Sequence, residues 1–333
     1  AGLSVSYEVD LWDRLGALSD AAQWEAVATA EDREATVLSL IGTTANLYFQ
    51  LGYANERIQF AEQSLASARQ IQTLVQVRFE AGAESALAVQ EARQTVQSQA
   101  ADLANLTQQR VVTLNAIGVL LGSGTAPQLA FEPRTLSVAS LPAVDADAPA
   151  SLLARRPDLR ASEARLRSTL ADVDATRVSF YPTLSLTGSA GGASSSLVNL
   201  LSNPAGALAS AISLPFLNGA EQRLTNARAE AGYQEAEAGF RQTLVSALAD
   251  VETALSARTQ SALQGDRLAE SLDAAQAAER INEVRYRSGA ASLREWLDSQ
   301  ERRRSAEIAV LGNRQAQLIG HVALYQALGG DLS

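Results

Sequence analysis

The feature that most constrains this chain is a repeat. Arg78-Phe79-Glu80-Ala81-Gly82-Ala83-Glu84-Ser85 returns downstream as Arg285-Tyr286-Arg287-Ser288-Gly289-Ala290-Ala291-Ser292, and the offset of 207 positions holds without a gap to Leu121-Gly122 and Leu328-Gly329. The fold must therefore contain one unit twice. Each copy sets an aromatic residue, a glycine and a serine between two long polar-apolar runs. A glycine in a left-handed conformation ends a helix and a serine caps the next, so each copy reads as the tip of a long helical hairpin. Ser292 and Glu295 have the spacing of a capping box. The first copy has Ala88 in place of the acid, and its cap is expected to be weaker.

The arms of these hairpins are too long for a compact domain. From about Arg14 to Phe79 there is no proline, and Leu38, Ala45, Tyr48, Leu51, Ile58, Leu65 and Val75 recur with a helical period. An unbroken helix of that length is a rod of roughly 90 to 100 Å. The return arm runs to Leu121, with Val96, Leu103, Leu106, Ile117 and Leu120 near heptad spacing, so the two arms are expected to pack as a coiled coil. The second hairpin spans about Glu221 to Tyr286, with Leu244, Leu248, Val251 and Leu255 on one face. It returns from Leu293 to Leu328 along a seam of Ile308, Leu311, Gln315, Leu318, Val322 and Tyr325 that one polar residue interrupts. Aromatic residues are only 5% of the chain, which suits thin helix-helix seams better than a thick core.

Three stretches change to a period of two. Leu3, Val5, Tyr7, Val9 and Leu11 alternate with polar or small residues. Leu184, Leu186, Gly188 and Ala190 alternate with Thr183, Ser185, Thr187 and Ser189, and after a loop over Gly191–Ala205 the series Leu208, Ile212, Leu214 and Phe216 alternates with Ala207, Ala209, Ala211 and Ser213. Strands of about ten residues with one apolar face have the length and pattern of tilted barrel strands in a membrane. Three cannot close a barrel, and an open edge is not tolerated in hydrocarbon, so further strands must come from other copies or from chain outside this sequence. Between the repeats, Pro127, Pro133 and Pro142 mark a connecting band, and Pro149 and Pro157 are placed to open short helices. The expected division is 1–122 for the first strand, hairpin and tip, 123–179 for the band, 180–217 for a transmembrane β-hairpin and 218–333 for the second hairpin and tip.

Composition narrows the function. A net charge of −10 disfavours nucleic acid, which needs clustered cations. The absence of cysteine removes disulfides, thiolate metal sites and cysteine nucleophiles, and a single histidine leaves no credible triad or zinc site; no cofactor, metal or catalytic residue is expected. No apolar run is long enough for a membrane helix. The chain opens at Ala1 directly into a patterned strand and has no methionine, which reads as a sequence lacking its natural start, with any signal peptide or lipidated cysteine.

Together, Tyr7-Glu8-Val9-Asp10-Leu11-Trp12, Arg78-Phe79-Glu80-Ala81-Gly82, Arg155-Arg156-Pro157-Asp158-Leu159, Phe180-Tyr181-Pro182, Arg285-Tyr286-Arg287-Ser288-Gly289 and Tyr325-Gln326-Ala327-Leu328-Gly329-Gly330 make the chain resemble the TolC-type outer-membrane efflux proteins, nearest the OprM-like, NodT-type channels of tripartite RND pumps. The resemblance implies a mainly α fold with a small β part: long coiled-coil hairpins forming an α-helical tunnel, joined to transmembrane β-barrel strands in a homotrimer. It implies an outer-membrane exit duct with a large periplasmic part, partnered by a periplasmic adaptor (membrane fusion) protein, an inner-membrane RND-type transporter and outer-membrane lipid. Against that family the sequence lacks the N-terminal helices, first strand and usual lipidated cysteine, so it is not expected to form a complete channel alone. Duct relatives for type I protein secretion or metal efflux, and a soluble coiled-coil scaffold, are the alternatives; the absence of methionine favours organic cargo over copper.

The resemblance also implies site residues. Arg78, Phe79 and Gly82, with Arg285, Tyr286 and Gly289, fall on the tips that meet the adaptor, where the glycines and aromatics also make the turn. Asp298 matches the acidic ring of the periplasmic gate, and Arg294 stands where relatives carry an apolar gate residue, which suggests an Arg294–Asp298 ionic latch. A solvated acid paired with Arg294 or Arg302 along its own helix is the plainer alternative. His321 is expected to be structural, Trp12 and Tyr181 to sit at a membrane interface, and Trp24 and Trp296 to pack.

Overall fold

The computed structural model describes residues 2–123, 132–136, 155–192 and 204–330. In chain order they form β1 (Gly2–Val9), α1 (Arg14–Glu80), α2 (Ala86–Leu120), α3 (Pro157–Val178), β2 (Thr183–Gly192), β3 (Pro204–Ser213), a short 3₁₀ turn (Pro215–Leu217), α4 (Gly219–Arg287) and α5 (Leu293–Ala327). The expected hairpin arms are there to within a few residues. Pro127, Pro142 and the helix expected at Pro149 lie outside the described residues. The chain divides into two compact units, residues 1–36 with 150–248 and residues 37–149 with 249–333.

In the first unit, β1, β2 and β3 form an antiparallel sheet in that order. Each strand differs from its expected bounds for an identifiable reason. β1 stops at Val9, short of Leu11, because Asp10 turns to cap α1, its carboxylate accepting the amides of Arg14 at 2.7 Å, Leu15 at 2.9 Å and Gly16 at 3.0 Å. Gly191 and Gly192 are not loop residues: they extend β2 opposite Ala205 and Pro204. Leu214 and Phe216 lie beyond β3, because Pro215 has no amide to donate to a ladder and opens the 3₁₀ turn instead. Alongside the sheet, α3 packs on the first turns of α1 through a seam of small residues, with Ala21, Ala28, Ala161 and Ala164 all buried. That close approach lets Ser168 donate to the Ala21 carbonyl at 2.9 Å, flanked by the Arg160–Glu31 pair at 2.7 Å and by Arg167 over the half-buried Trp24 ring.

The second unit holds both tips. The later part of α1 packs on α2 through Leu51, Leu114 and Ile117, and then through Leu65, Ala68 and Val96. Leu106 and Val96 are buried as the heptad reading expects, but Leu120 is exposed; on α4 Leu248 is exposed and Ala247 takes the inward place. These misses follow from the 3.6-residue period, which drifts off a strict heptad over a long helix. Residues 132–136 of the band dock on this unit. Glu132 bridges Arg110 at 2.5 Å and Asn55 at 3.0 Å, while Leu136 is buried with Leu311 and Leu318 and donates its amide to Glu56 at 2.9 Å.

Candidate functional site: the sheet and the tips

Two places carry the features expected of function, each within one unit. The first is the sheet. Cross-strand register puts Leu3, Val5, Tyr7 and Val9 on the same face as Leu184, Leu186, Gly188 and Ala190, and as Leu208 and Ile212. This face is bare: Leu208 is 92% and Leu3 74% exposed. An apolar surface of that kind marks an interaction with protein or lipid. Just past the strands at one end stand Trp12 and Tyr181, ring centroids 5.2 Å apart edge to face, with the indole N–H donating to the Pro182 carbonyl at 2.9 Å. A half-wet aromatic pair with a satisfied polar tip is the arrangement found at membrane interfaces. The other face is polar or small, with Ser4, Ser6 and Glu8 beside Ser185, Thr187 and Ser189 and then Ala207, Ala209 and Ala211. Outer edges of β1 and β3 have no strand beside them among the described residues.

The second place is the pair of tips. Gly82 (φ 76°) and Gly289 (φ 80°) are both left-handed, and each closes its helix with the same two bonds: Ala83 N–H to Arg78 O with Gly82 N–H to Phe79 O, and Ala290 N–H to Arg285 O with Gly289 N–H to Tyr286 O. The repeat persists at the far ends, where Gly122 and Gly329 are left-handed as well. Both serine caps form. Ser85 Oγ accepts the Ala88 amide at 3.1 Å and Ser292 Oγ the Glu295 amide at 3.3 Å, but the Glu295 carboxylate takes the Ser292 hydroxyl rather than a backbone donor, so the capping box is only half made. The first cap forms without an acid at Ala88.

Side chains at the tips break the symmetry. Phe79 is 40% exposed, whereas its counterpart Tyr286 is 2% exposed and stacks on Trp296 with centroids 5.1 Å apart. The Tyr286 hydroxyl donates to Glu84 of the first tip at 2.7 Å, and Arg78, also from the first tip, lies over the Tyr286 ring at 4.8 Å. Burial, followed by the bond to Glu84, raises the Tyr286 pKa above its usual value and keeps the hydroxyl a donor. Arg78 and Tyr286 are thus brought together, while Phe79 points elsewhere. Glu84 went unnoticed in the sequence because a lone glutamate in a turn carries no signal.

Beside the tips a polar groove of about 350 Å³ runs between α2 and α5, lined by Glu91, Gln94, Ser98, Arg294, Asp298 and Arg304. Arg294 and Asp298 are both exposed and make no ion pair or hydrogen bond with each other, nor does Asp298 pair with Arg302. Within one chain, then, neither the Arg294–Asp298 latch nor the plainer helix pairing is made, and Asp298 stands solvated. Glu91 is the residue overlooked here. It stands 207 positions before Asp298, so the repeat itself could have pointed to it. Among the described residues no grouping of His, Asp and Glu could hold a metal ion, and no helix is long and apolar enough to cross a membrane.

Known proteins match this chain along nearly its whole length. Residues 1–123 and 148–330 match the family described as "Outer membrane efflux protein". The pyoverdine export outer membrane protein OpmQ of Pseudomonas putida is 32% identical over 332 residues, spanning 99% of this chain and 70% of that protein. Among solved structures, CusC superposes with a TM-score of 0.90 at 27% identity, over 99% of this chain and 77% of its own. The open state of the MtrE outer membrane channel of Neisseria gonorrhoeae does so with a TM-score of 0.87 at 30% identity, over 99% and 75%. An open sheet with one lipid-type face, long paired helices and matches along nearly the whole chain lead to one conclusion: this chain belongs to the outer membrane efflux protein family, as an outer-membrane exit duct of an efflux system with a large periplasmic helical region.

Proposed function

We propose that full-length copies of this protein assemble as a homotrimer whose sheets close one transmembrane barrel and whose helical hairpins line one coiled-coil tunnel, passing drugs or other small amphipathic compounds out of the periplasm. The observation that carries the reading is the three-stranded sheet with an exposed apolar face and two outer edges that no strand among the described residues pairs. In hydrocarbon such edges must be paired, and a closed ring of strands from several copies pairs them all. The tips around Arg78, Phe79, Gly82, Arg285, Tyr286 and Gly289 are the docking points for a periplasmic adaptor that couples the duct to an inner-membrane RND-type transporter. Within this division of labour, exposed Phe79 offers contact area, while Tyr286 ties the two tips together. Opening breaks that tie, a two-state change biased by adaptor binding. Asp298, with Glu91 across the groove, forms the gate; if Arg294 latches Asp298, it does so between copies. Export of small organic compounds, and not protein or metal, is favoured by relatives such as the pyoverdine export protein OpmQ and the solvent efflux pump protein SrpC of Pseudomonas putida, and by the absence of methionine.

The test is accumulation of a fluorescent amphipathic dye in cells carrying or lacking the full-length gene, with heat-resistant trimers sought in the outer-membrane fraction. Higher accumulation on deletion, restored by the intact gene, is expected. Membrane trimers with unchanged accumulation of dyes and antibiotics would shift the cargo to metals or proteins, and no trimer at all would sink the shared barrel.

A further inference from the structure

The polar face of the sheet is almost without charge. Of all the residues in β1, β2 and β3, Glu8 alone is ionisable as an acid or base in the neutral range. It is neutralised where it stands: the Arg14 guanidinium donates from Nη2 to both carboxylate oxygens at 2.8 Å and from Nε at 3.2 Å. The rest of that face is hydroxyls and methyls. Ser6 and Thr187 sit across from each other with their oxygens 3.2 Å apart, and Ala207, Ala209 and Ala211 form the adjoining row. The sequence has no Asp, Glu, Lys, Arg or His anywhere between Arg177 and Glu221, although the chain as a whole carries a net charge of −10. Rings of charged side chains give a pore its ion preference, because low-dielectric walls focus the field of any charge lining a water-filled channel.

We infer that the part of the barrel wall supplied by these three strands is electrically neutral on its lumen side and sets no charge filter on cargo, so that neutral, zwitterionic and charged amphiphiles pass along it alike. The inference rests on the barrel reading proposed above. Hydroxyl rows beside a methyl row suit a molecule with one polar and one apolar side, and any preference for cations arises in the helical region, where the acids are.

This chain contributes no cysteine of its own, so single cysteines placed in the full-length channel report local potential. Thr187→Cys and Ala209→Cys, a cross-strand pair on the polar face, are treated in membranes with cationic and anionic methanethiosulfonates of similar size. The ratio of the two rates is divided by the ratio for free 2-mercaptoethanol. A normalised ratio within about threefold of unity is expected, and a larger departure in either direction overturns the neutral lining. Arg14→Ala should unmask Glu8 and raise the cation preference at Ser185→Cys, the cross-strand partner of Glu8, by more than about threefold. An unchanged ratio there would mean that the Arg14 pairing is not what neutralises the wall. Leu208→Cys, on the opposite face, should react with neither reagent. Equal reactivity of Leu208→Cys and Ala209→Cys would instead break the barrel reading, leaving no lumen for the inference to describe.

Discussion

The two hairpins are the same element built twice, and their seams are filled differently. In the first, Leu51, Ala54, Leu106 and Leu114 are buried along the contact between α1 and α2. The positions 207 residues later are Arg258, Ser261, Asn313 and His321. Asn313 is buried and donates to the Ser261 carbonyl at 3.0 Å and to Gln264 at 3.2 Å, while Gln317 donates to the same carbonyl at 3.1 Å and to Asn313 at 2.8 Å. His321 is half-buried with its Nδ1 unpartnered, and burial, then the nearby Arg258 charge, holds its pKa below the usual 6.5. An apolar seam is non-directional and tolerates sliding. A hydrogen-bonded one fixes register at a cost in stability, as buried polar residues do in coiled coils. At the tips the contrast reverses, since the second hairpin supplies the buried aromatic pair Tyr286 and Trp296 and the first supplies the exposed Phe79. The same backbone plan thus gives an apolar middle seam in the first hairpin and a hydrogen-bonded one in the second, while the tip cluster draws on both, with Ile71, Val75, Ala88 and Ala92 packed around Tyr286, Leu293 and Trp296.

Substitutions can break or sharpen this contrast. The largest effect is expected from Trp296→Ala, which empties a buried aromatic site and should cost about 3 to 5 kcal/mol of local stability, against about 1 kcal/mol or less for Val89→Ala at the matching position. Hydrogen exchange across the tip peptides of the full-length protein measures both, and similar losses would abolish the asymmetry. Next comes Leu106→Asn, which places an unpaired amide in the first seam and should cost about 2 to 4 kcal/mol. The reverse exchange, Asn313→Leu, should stay within about 1 kcal/mol, because the lost bonds are offset by apolar burial. Tyr286→Phe removes the bond to Glu84 and should cost about 1.5 to 3 kcal/mol, with more frequent channel openings in planar bilayers, while Phe79→Ala leaves the closed state within about 0.5 kcal/mol. Equal opening rates in the two variants would show that the tie at the tip holds nothing.

The smallest effect is set by pH. His321 has its pKa lowered on folding, so below about 6.5 the unfolded state binds more protons than the folded one and stability falls as pH drops through the lowered folded value. Unfolding of the second hairpin followed between pH 7 and 5 should therefore show acid sensitivity that His321→Leu removes. Tyr286 works in the opposite sense. Its pKa is raised, so the stability its protonated hydroxyl contributes is intact below its usual value near 10 and is lost as pH rises through the higher folded one.

Much of the plan was legible in the sequence. Helix lengths, the left-handed Gly82 and Gly289, the serine caps and strands of alternating period all follow from interactions among residues a few positions apart, which repeat wherever the local pattern repeats. The β3 start at Pro204, the strand positions of Gly191 and Gly192, and the exposure of Leu120 and Leu248 were not legible, because each is decided by a partner strand or helix far away in sequence. The site divided in the same way. Arg78 and Tyr286 could be named from the tip pattern, but their meeting, and the parts played by Glu84 and Trp296, depend on two turns 207 residues apart coming together.

By itself, then, the sequence determined that one helical hairpin and its turn occur twice and that an uncharged, alternating segment stands between them, since capping, helical period and charge are written residue by residue. Only the tertiary structure decided which copy buries its aromatic, which seam is apolar and which is hydrogen-bonded, and where Glu8 finds Arg14. Burial and pairing are properties of neighbours in space, and two copies of one local pattern acquire different neighbours as soon as the chain folds.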